Sequence, residues 1–177
     1  TEEDSQRWKP LMTEISIRPS TEDDIAAIHD IYEYEVLCGT ATFDETPPSK
    51  EEFLKKRADI VAGGFPYLVA EVDGEVVAYS YSSLYRQRSA YNKTVENAIY
   101  VAQDRRIAGL GTALMQANIN ECEKLGLKNI IAVIGDSDNM ASINLHKKLG
   151  FRKVGTMRDV GFKFGRWLDV VLMQKTL

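Results

Sequence analysis

The chain has 177 residues, 44% hydrophobic and 27% charged, with a formal net charge of −4. Such a chain fits one globular domain with a substantial core. It has no run of about 18 apolar residues that would span a membrane, and its acidic balance argues against a general nucleic-acid binder. The polar start, Thr1 to Pro10, lacks the basic opening and apolar centre of a secretory signal, so a cytoplasmic location is expected. Cys38 and Cys122 lie far apart without metal-ligand spacing, so no metal site is expected and both read as buried thiols.

Residues 1–13 read as an N-terminal extension and 14–177 as one domain. Ile15-Ser16-Ile17-Arg18 alternates like a strand that Pro19 ends. Ser20/Asp23 and Thr21/Asp24 both fit a capping box for a helix carrying Ile25, Ile28, Tyr32, Glu35 and Val36, which Gly39 stops. Thr40 to Pro48 reads as a loop. Ser49-Lys50-Glu51-Glu52 caps a second helix that reaches Gly63-Gly64. Two strands, Tyr67 to Val72 and Val76 to Tyr81, flank Asp73-Gly74, a pair suited to a two-residue hairpin turn.

After a polar loop, Arg86 to Lys93, the spacing predicts a strand over Val95 to Val101 and a helix from Leu110 to Gly126. A fully buried strand follows at Ile130 to Ile134, then a helix from Asn139 to Leu149 closed by Gly150. Two last strands, Arg152 to Arg158 and Trp167 to Gln174, surround a glycine-containing loop. The predicted order is β-α-α-β-β-β-α-β-α-β-β, a mixed α/β domain.

The junction Arg105-Arg106-Ile107-Ala108-Gly109-Leu110-Gly111-Thr112 joins a strand to a helix start, where N–H groups lack partners and the helix dipole is positive. Its glycines let an anion approach the backbone. A Walker loop is excluded because no Lys follows Gly111, and a dinucleotide fingerprint fits poorly because Leu114 stands where its third glycine belongs. The pattern that remains is R-x-x-G-x-G over Arg106 to Gly111. One strand later comes Asn139-Met140-Ala141-Ser142-Ile143-Asn144-Leu145-His146-Lys147-Lys148-Leu149-Gly150-Phe151. Spacing alone leaves Asn139 open between a helix cap and a ligand contact, and His146 open between a buried helix residue and a proton donor.

Both segments, in this order, resemble the GNAT superfamily of acetyl-CoA-dependent N-acetyltransferases. Arg88 to Val101, Ala132-Val133-Ile134-Gly135 and Asp159 to Val170 resemble its phosphinothricin and methionine sulfoximine N-acetyltransferase branch, over a similarity running from about Ile15 to the C-terminus. The resemblance implies the GNAT fold, an α+β domain whose mixed, mostly antiparallel sheet has about seven strands and four main helices. It also implies an enzyme that acetylates the α-amino group of a small amino-acid-like substrate, with acetyl-CoA as cosubstrate, no metal, and a homodimer.

On this resemblance Glu96, otherwise open between a solvated strand carboxylate and a catalytic group, is the base, and His146 stands where many GNAT enzymes place an acidic Tyr. Ile99, Tyr100 and Val101 would hold the acetyl and pantetheine part. Arg106, Ile107, Ala108, Gly109, Leu110, Gly111 and Thr112 would cradle the pyrophosphate, and Asn139 would contact the pantetheine. Arg86 and Arg88 would read the substrate carboxylate, with Phe43, Glu45 and Tyr91 walling the pocket. Ala108 replaces the larger residue many relatives carry, and Lys93 stands where the herbicide-detoxifying enzymes have Trp. The alternatives are a protein or peptide N-acetyltransferase and a noncatalytic acyl-CoA-binding sensor.

Overall fold

The computed structural model describes residues 14–177, so the expected extension over 1–13 lies outside the described residues. In chain order come β1 (Ile15–Pro19), α1 (Ile25–Cys38), α2 (Lys50–Ala62), β2 (Tyr67–Val72) and β3 (Glu75–Leu84). Then follow β4 (Thr94–Val101), α3 (Leu110–Lys124), β5 (Asn129–Gly135), α4 (Met140–Lys148), β6 (Arg152–Lys163) and β7 (Arg166–Thr176). The expected order is found, with 3-10 turns added at Glu22–Asp24 and Ser89–Tyr91.

Local chemistry sets the boundaries. Of the two overlapping capping boxes the chain uses Thr21/Asp24, with Thr21 N–H donating to Asp24 Oδ2 at 2.7 Å. Ser20 is buried, and Arg57 Nε donates to its Oγ at 2.9 Å. Ser49 and Glu52 exchange hydrogen bonds at the start of α2. Asp73 and Gly74 take φ of 52° and 80°, both positive, as the tight turn between β2 and β3 requires.

The sheet order is β1-β2-β3-β4-β5-β7-β6, and β4–β5 is its parallel pair. That pairing runs from Thr94↔Asn129 only to Asn97↔Ala132. Beyond it β4 stays with β3 as far as Val101 while β5 follows β7 to Gly135, so the two middle strands part. Tyr67, Val69 and Tyr79 pack with Ile25, Ile28 and Phe53 under α1 and α2. Met115, Ile119, Ile130 and Met173 build the core beneath α3 on the other face. Each buried Ile or Leu side chain in these two clusters contributes about 2 kcal/mol to holding the helices on the sheet.

Three expectations change. Val133 is 41% exposed, so β5 is not fully buried, because Val133 lies past the last β4 partner and faces the gap. β6 continues through the expected loop to Lys163, absorbing a register shift between Met157 and Gly161 where Asp159 takes a φ of 53°. Cys122 is buried as expected, but Cys38 is exposed, at the end of α1 beside the exposed Leu37.

Candidate active site

A cavity of about 700 Å³ opens where β4 and β5 part. Ala98 to Val101 form one wall and Ala132 to Gly135 the other, and the turn into α3 and the start of α4 close its two ends. Because the parallel ladder stops at Asn97, backbone groups of β4 beyond it face the cavity without a strand partner. A slender extended ligand can pair there as an added strand.

At the α3 end, Gly109 takes a φ of 82°, a conformation that costs other residues roughly 1–2 kcal/mol. This bend aims the helix start at the cavity. Leu110 N–H bonds to Ile107 C=O and Ala113 N–H to Gly109 C=O. The N–H groups of Ala108, Gly109, Gly111 and Thr112 find no backbone partner among the described residues. Arg106, Ile107, Ala108, Leu110 and Gly111 line the cavity. Arg105 instead forms an ion pair with Glu75. Free N–H groups at a helix start suit an anion.

Strand alternation divides the chemistry between the two faces of the sheet. Tyr79, Tyr81, Glu96, Ala98 and Tyr100 share the α1/α2 face, since Tyr81 pairs with Ala98 and Ser83 with Glu96. Glu96 is half-buried at the cavity wall. Burial raises its pKa above the usual carboxylate value, while the Lys56 ammonium and Arg86 guanidinium act in the opposite sense. Lys56, from α2, sits 4.8 Å above the Tyr81 ring. Glu35, at the end of α1, is a second carboxyl on the wall, and burial raises its pKa as well.

On the α3/α4 face His146 is 2% exposed and packs edge-on against Phe151. Its Nδ1 lies 2.7 Å from Ser142 C=O and its Nε2 3.0 Å from Asn97 Nδ2. Burial lowers its pKa, and the Ser142 carbonyl only partly offsets this. Asn139 caps α4 by accepting from Ser142 N–H at 3.2 Å, and it also lines the cavity. The cap is formed, and the same residue lies on the cavity wall.

The residues expected to read the substrate lie outside the cavity wall. Arg86 and Arg88 are exposed in the segment between β3 and the 3-10 turn that carries the exposed Tyr91, and Arg86 stacks over Tyr85 at 4.9 Å. Glu45 is exposed in the loop after α1. Phe43 packs against Gly135 and Gly161, where an added Cβ would come within 3.0 and 2.3 Å of its ring. Of these five, none is among the cavity-lining side chains, although Arg86 acts electrostatically on Glu96.

That loop is irregular but firmly tied. Lys163, 2% exposed, donates to the carbonyls of Glu35, Gly39 and Thr42 at 3.3, 2.8 and 2.9 Å. An ammonium at the carbonyl end of α1 is also favoured by the helix dipole. Tyr32 Oη donates to Asp44 Oδ2 at 2.6 Å, and Thr40 Oγ1 donates to Asp136 Oδ2 at 2.8 Å. Burial works against the ionised form of Asp136, but bonds from Asp138 N–H, Thr40 and Arg166 outweigh it and keep its pKa low. Sequence reasoning assigned no role to Lys56, Asn97, Asp136 or Lys163. Lys163 did lie in a quoted motif, and alternation next to Glu96 places Asn97 on the opposite face.

An Acetyltransferase (GNAT) domain family matches residues 17–172. The chain is 44% identical over 162 residues to phosphinothricin N-acetyltransferase of Alcaligenes faecalis, covering 92% of this chain and 82% of that protein. It is 40% identical to the L-methionine sulfoximine/L-methionine sulfone acetyltransferase of Pseudomonas aeruginosa, covering 92% and 94%. A crystal structure of a GNAT superfamily phosphinothricin acetyltransferase from Sinorhizobium meliloti in complex with acetyl-CoA superimposes with a TM-score of 0.89 at 41% identity, covering 92% and 88%. The parted parallel strands, the bare amides at the start of α3 and these likenesses lead to one conclusion: the chain is an N-acetyltransferase of the GNAT family, in the branch that contains the phosphinothricin and methionine sulfoximine enzymes.

Proposed function

We propose that the chain transfers the acetyl group of acetyl-CoA to the α-amino group of a small amino-acid-like compound of the phosphinothricin, methionine sulfoximine or methionine sulfone kind. The parting of β4 from β5 at Asn97 carries the proposal, because it makes a slot with strand-pairing groups along one side and free helix-start amides at its end. Ile99, Tyr100 and Val101 pair with the acyl-pantetheine part, and Ala108 to Thr112 receive the pyrophosphate with Arg106 beside them. Asn139 offers its amide N–H groups while its oxygen caps α4.

Glu96 takes the proton that the substrate amine must lose. An α-amino group has a reference pKa near 8, and a carboxyl raised by burial is closer to it than an exposed one. Arg86 and Arg88 face the substrate carboxylate, and the strapped loop bearing Phe43 and Glu45 bounds the side-chain end of the pocket. These groups complete a pocket in a homodimer, a reading supported by the apolar strip of Val160, Phe162, Phe164 and Trp167, each more than half exposed.

Thiol release from acetyl-CoA tests the proposal with methionine sulfone, methionine sulfoximine, phosphinothricin, methionine and a peptide amine as acceptors. Turnover confined to the amino-acid acceptors, and strongly reduced by Glu96→Ala, is expected. Turnover only on the peptide would overturn the substrate class, and tight acetyl-CoA binding with no turnover would favour a sensor.

A further inference from the structure

His146 stands where a proton donor to the departing thiol is expected, yet its hydrogen bonds set a different role. Ser142 C=O can only accept, so the Nδ1 that lies 2.7 Å from it carries a hydrogen. In the neutral ring Nε2 is then a bare lone pair, and its neighbour at 3.0 Å must donate. This orients the Asn97 amide: Nδ2 faces the ring, its other N–H points to Met115 Sδ at 3.3 Å, and Oδ1 is left buried without a partner. An unsatisfied buried carbonyl oxygen is costly. The amide holds this orientation because turning over would set its oxygen against the Nε2 lone pair.

The groups facing the ring are Asn97 from β4, Ser142 from its own helix and Phe151 edge-on, with Met115 of α3 behind the amide. Glu96, next in sequence to Asn97, points to the opposite face of the sheet. Burial and the Ser142 carbonyl are the two influences on the titration of His146, and no ionised group stands among them.

We propose that Asn97 is a positioning residue that holds His146 in its neutral Nδ1–H tautomer, so that the Nε2 lone pair is taken up by the Asn97 amide and His146 has no proton to give the thiol. The inference rests on the acetyl-transfer reading above and narrows the role of one residue in it. Asn97 lies at the last β4–β5 pair, 7% exposed, and both it and His146 line the cavity. For His146 to act as an acid it would have to gain a proton at Nε2, and the Asn97 amide would have to turn by about 180° to accept from it.

Nitrogen-resolved imidazole NMR on the free chain tests the assignment, paired with steady-state kinetics on the best acceptor. In the wild type Nδ1 should be protonated and Nε2 bare from pH 6 to 8, and kcat should show no titration assignable to His146. Asn97→Asp places a carboxylate against Nε2, so both ring nitrogens should be protonated at pH 7. Its kcat should then be low at neutral pH and recover in part as pH rises through the raised histidine pKa. Asn97→Leu removes the donor, and kcat should fall at least tenfold while the KM for acetyl-CoA stays within about threefold.

Far-UV circular dichroism checks that each variant is folded, and the wild-type spectrum decides the matter even if Asn97→Leu is not. An Nε2–H or doubly protonated ring in the wild type would overturn the proposal, as would a folded Asn97→Leu with unchanged kcat. The nitrogen spectrum is read without substrates, so its failure is distinct from failure of the acetyl-transfer reading.

Discussion

The two ends of the active-site cavity are built by different means. The α3 end is a short continuous stretch, Arg106 to Thr112, whose working groups are backbone amides aimed by one glycine. Under the proposed reading the acceptor side draws instead on side chains from α1, α2, the loop after α1, the segment before β4 and the β6–β7 hairpin. The first is complete within one strand-turn-helix unit. The second depends on long-range ties such as Lys163 to Thr42 and Phe43 to Gly161. Changes at one end should therefore act on acetyl-CoA and changes at the other on the amine.

Glu96→Gln should give the largest effect, lowering kcat/KM by about 10²- to 10⁴-fold, the range for loss of a general base. Acetyl-CoA affinity by calorimetry should stay close to wild type, and a comparable loss of affinity would erase the division. Gly109→Ala should weaken acetyl-CoA binding about tenfold, the effect of roughly 1.4 kcal/mol of left-handed strain, with little change in amine KM. Gly161→Ala forces its Cβ into the Phe43 ring, so the amine KM should rise severalfold while the acetyl-CoA KM holds. An equal rise in both would show that Phe43 supports the whole cavity.

Lys56→Met should give the smallest effect. Under the proposed reading Glu96 acts as the ionised base, and the nearby ammonium favours that form, so its removal raises the Glu96 pKa further. The acid limb of kcat/KM should then move to higher pH. A profile superimposable on wild type would mean that Lys56 does not reach Glu96 in solution.

The same division explains what the sequence made legible. The Thr21/Asp24 and Ser49/Glu52 capping boxes, the Asp73-Gly74 turn and Gly109 before α3 are local signals that the structure uses, whereas Ser20/Asp23 forms no box. Element order followed from them. Gly161 fell in the expected glycine-containing loop, yet it lies in β6 where the Phe43 ring leaves no room for a Cβ. Val133 looked like a core residue within an apolar run, and only the loss of its β4 neighbour exposes it. Lys163 was given no role, because the three carbonyls around its ammonium come from a segment more than 120 residues away. Where function rests on contacts across the chain, periodicity and spacing carry no signal of it.

The unzipped edge of β4 also affects how the enzyme tolerates heat and proteases. Strand groups that pair only with a bound molecule make folding and ligand concentration one coupled equilibrium, and the native state gains RT ln(1 + [L]/Kd), about 2.7 kcal/mol at a hundredfold excess over Kd. Under the proposed reading the melting temperature therefore tracks the acetyl-CoA pool. Starved of its acyl donor, the protein is less stable and more open to degradation.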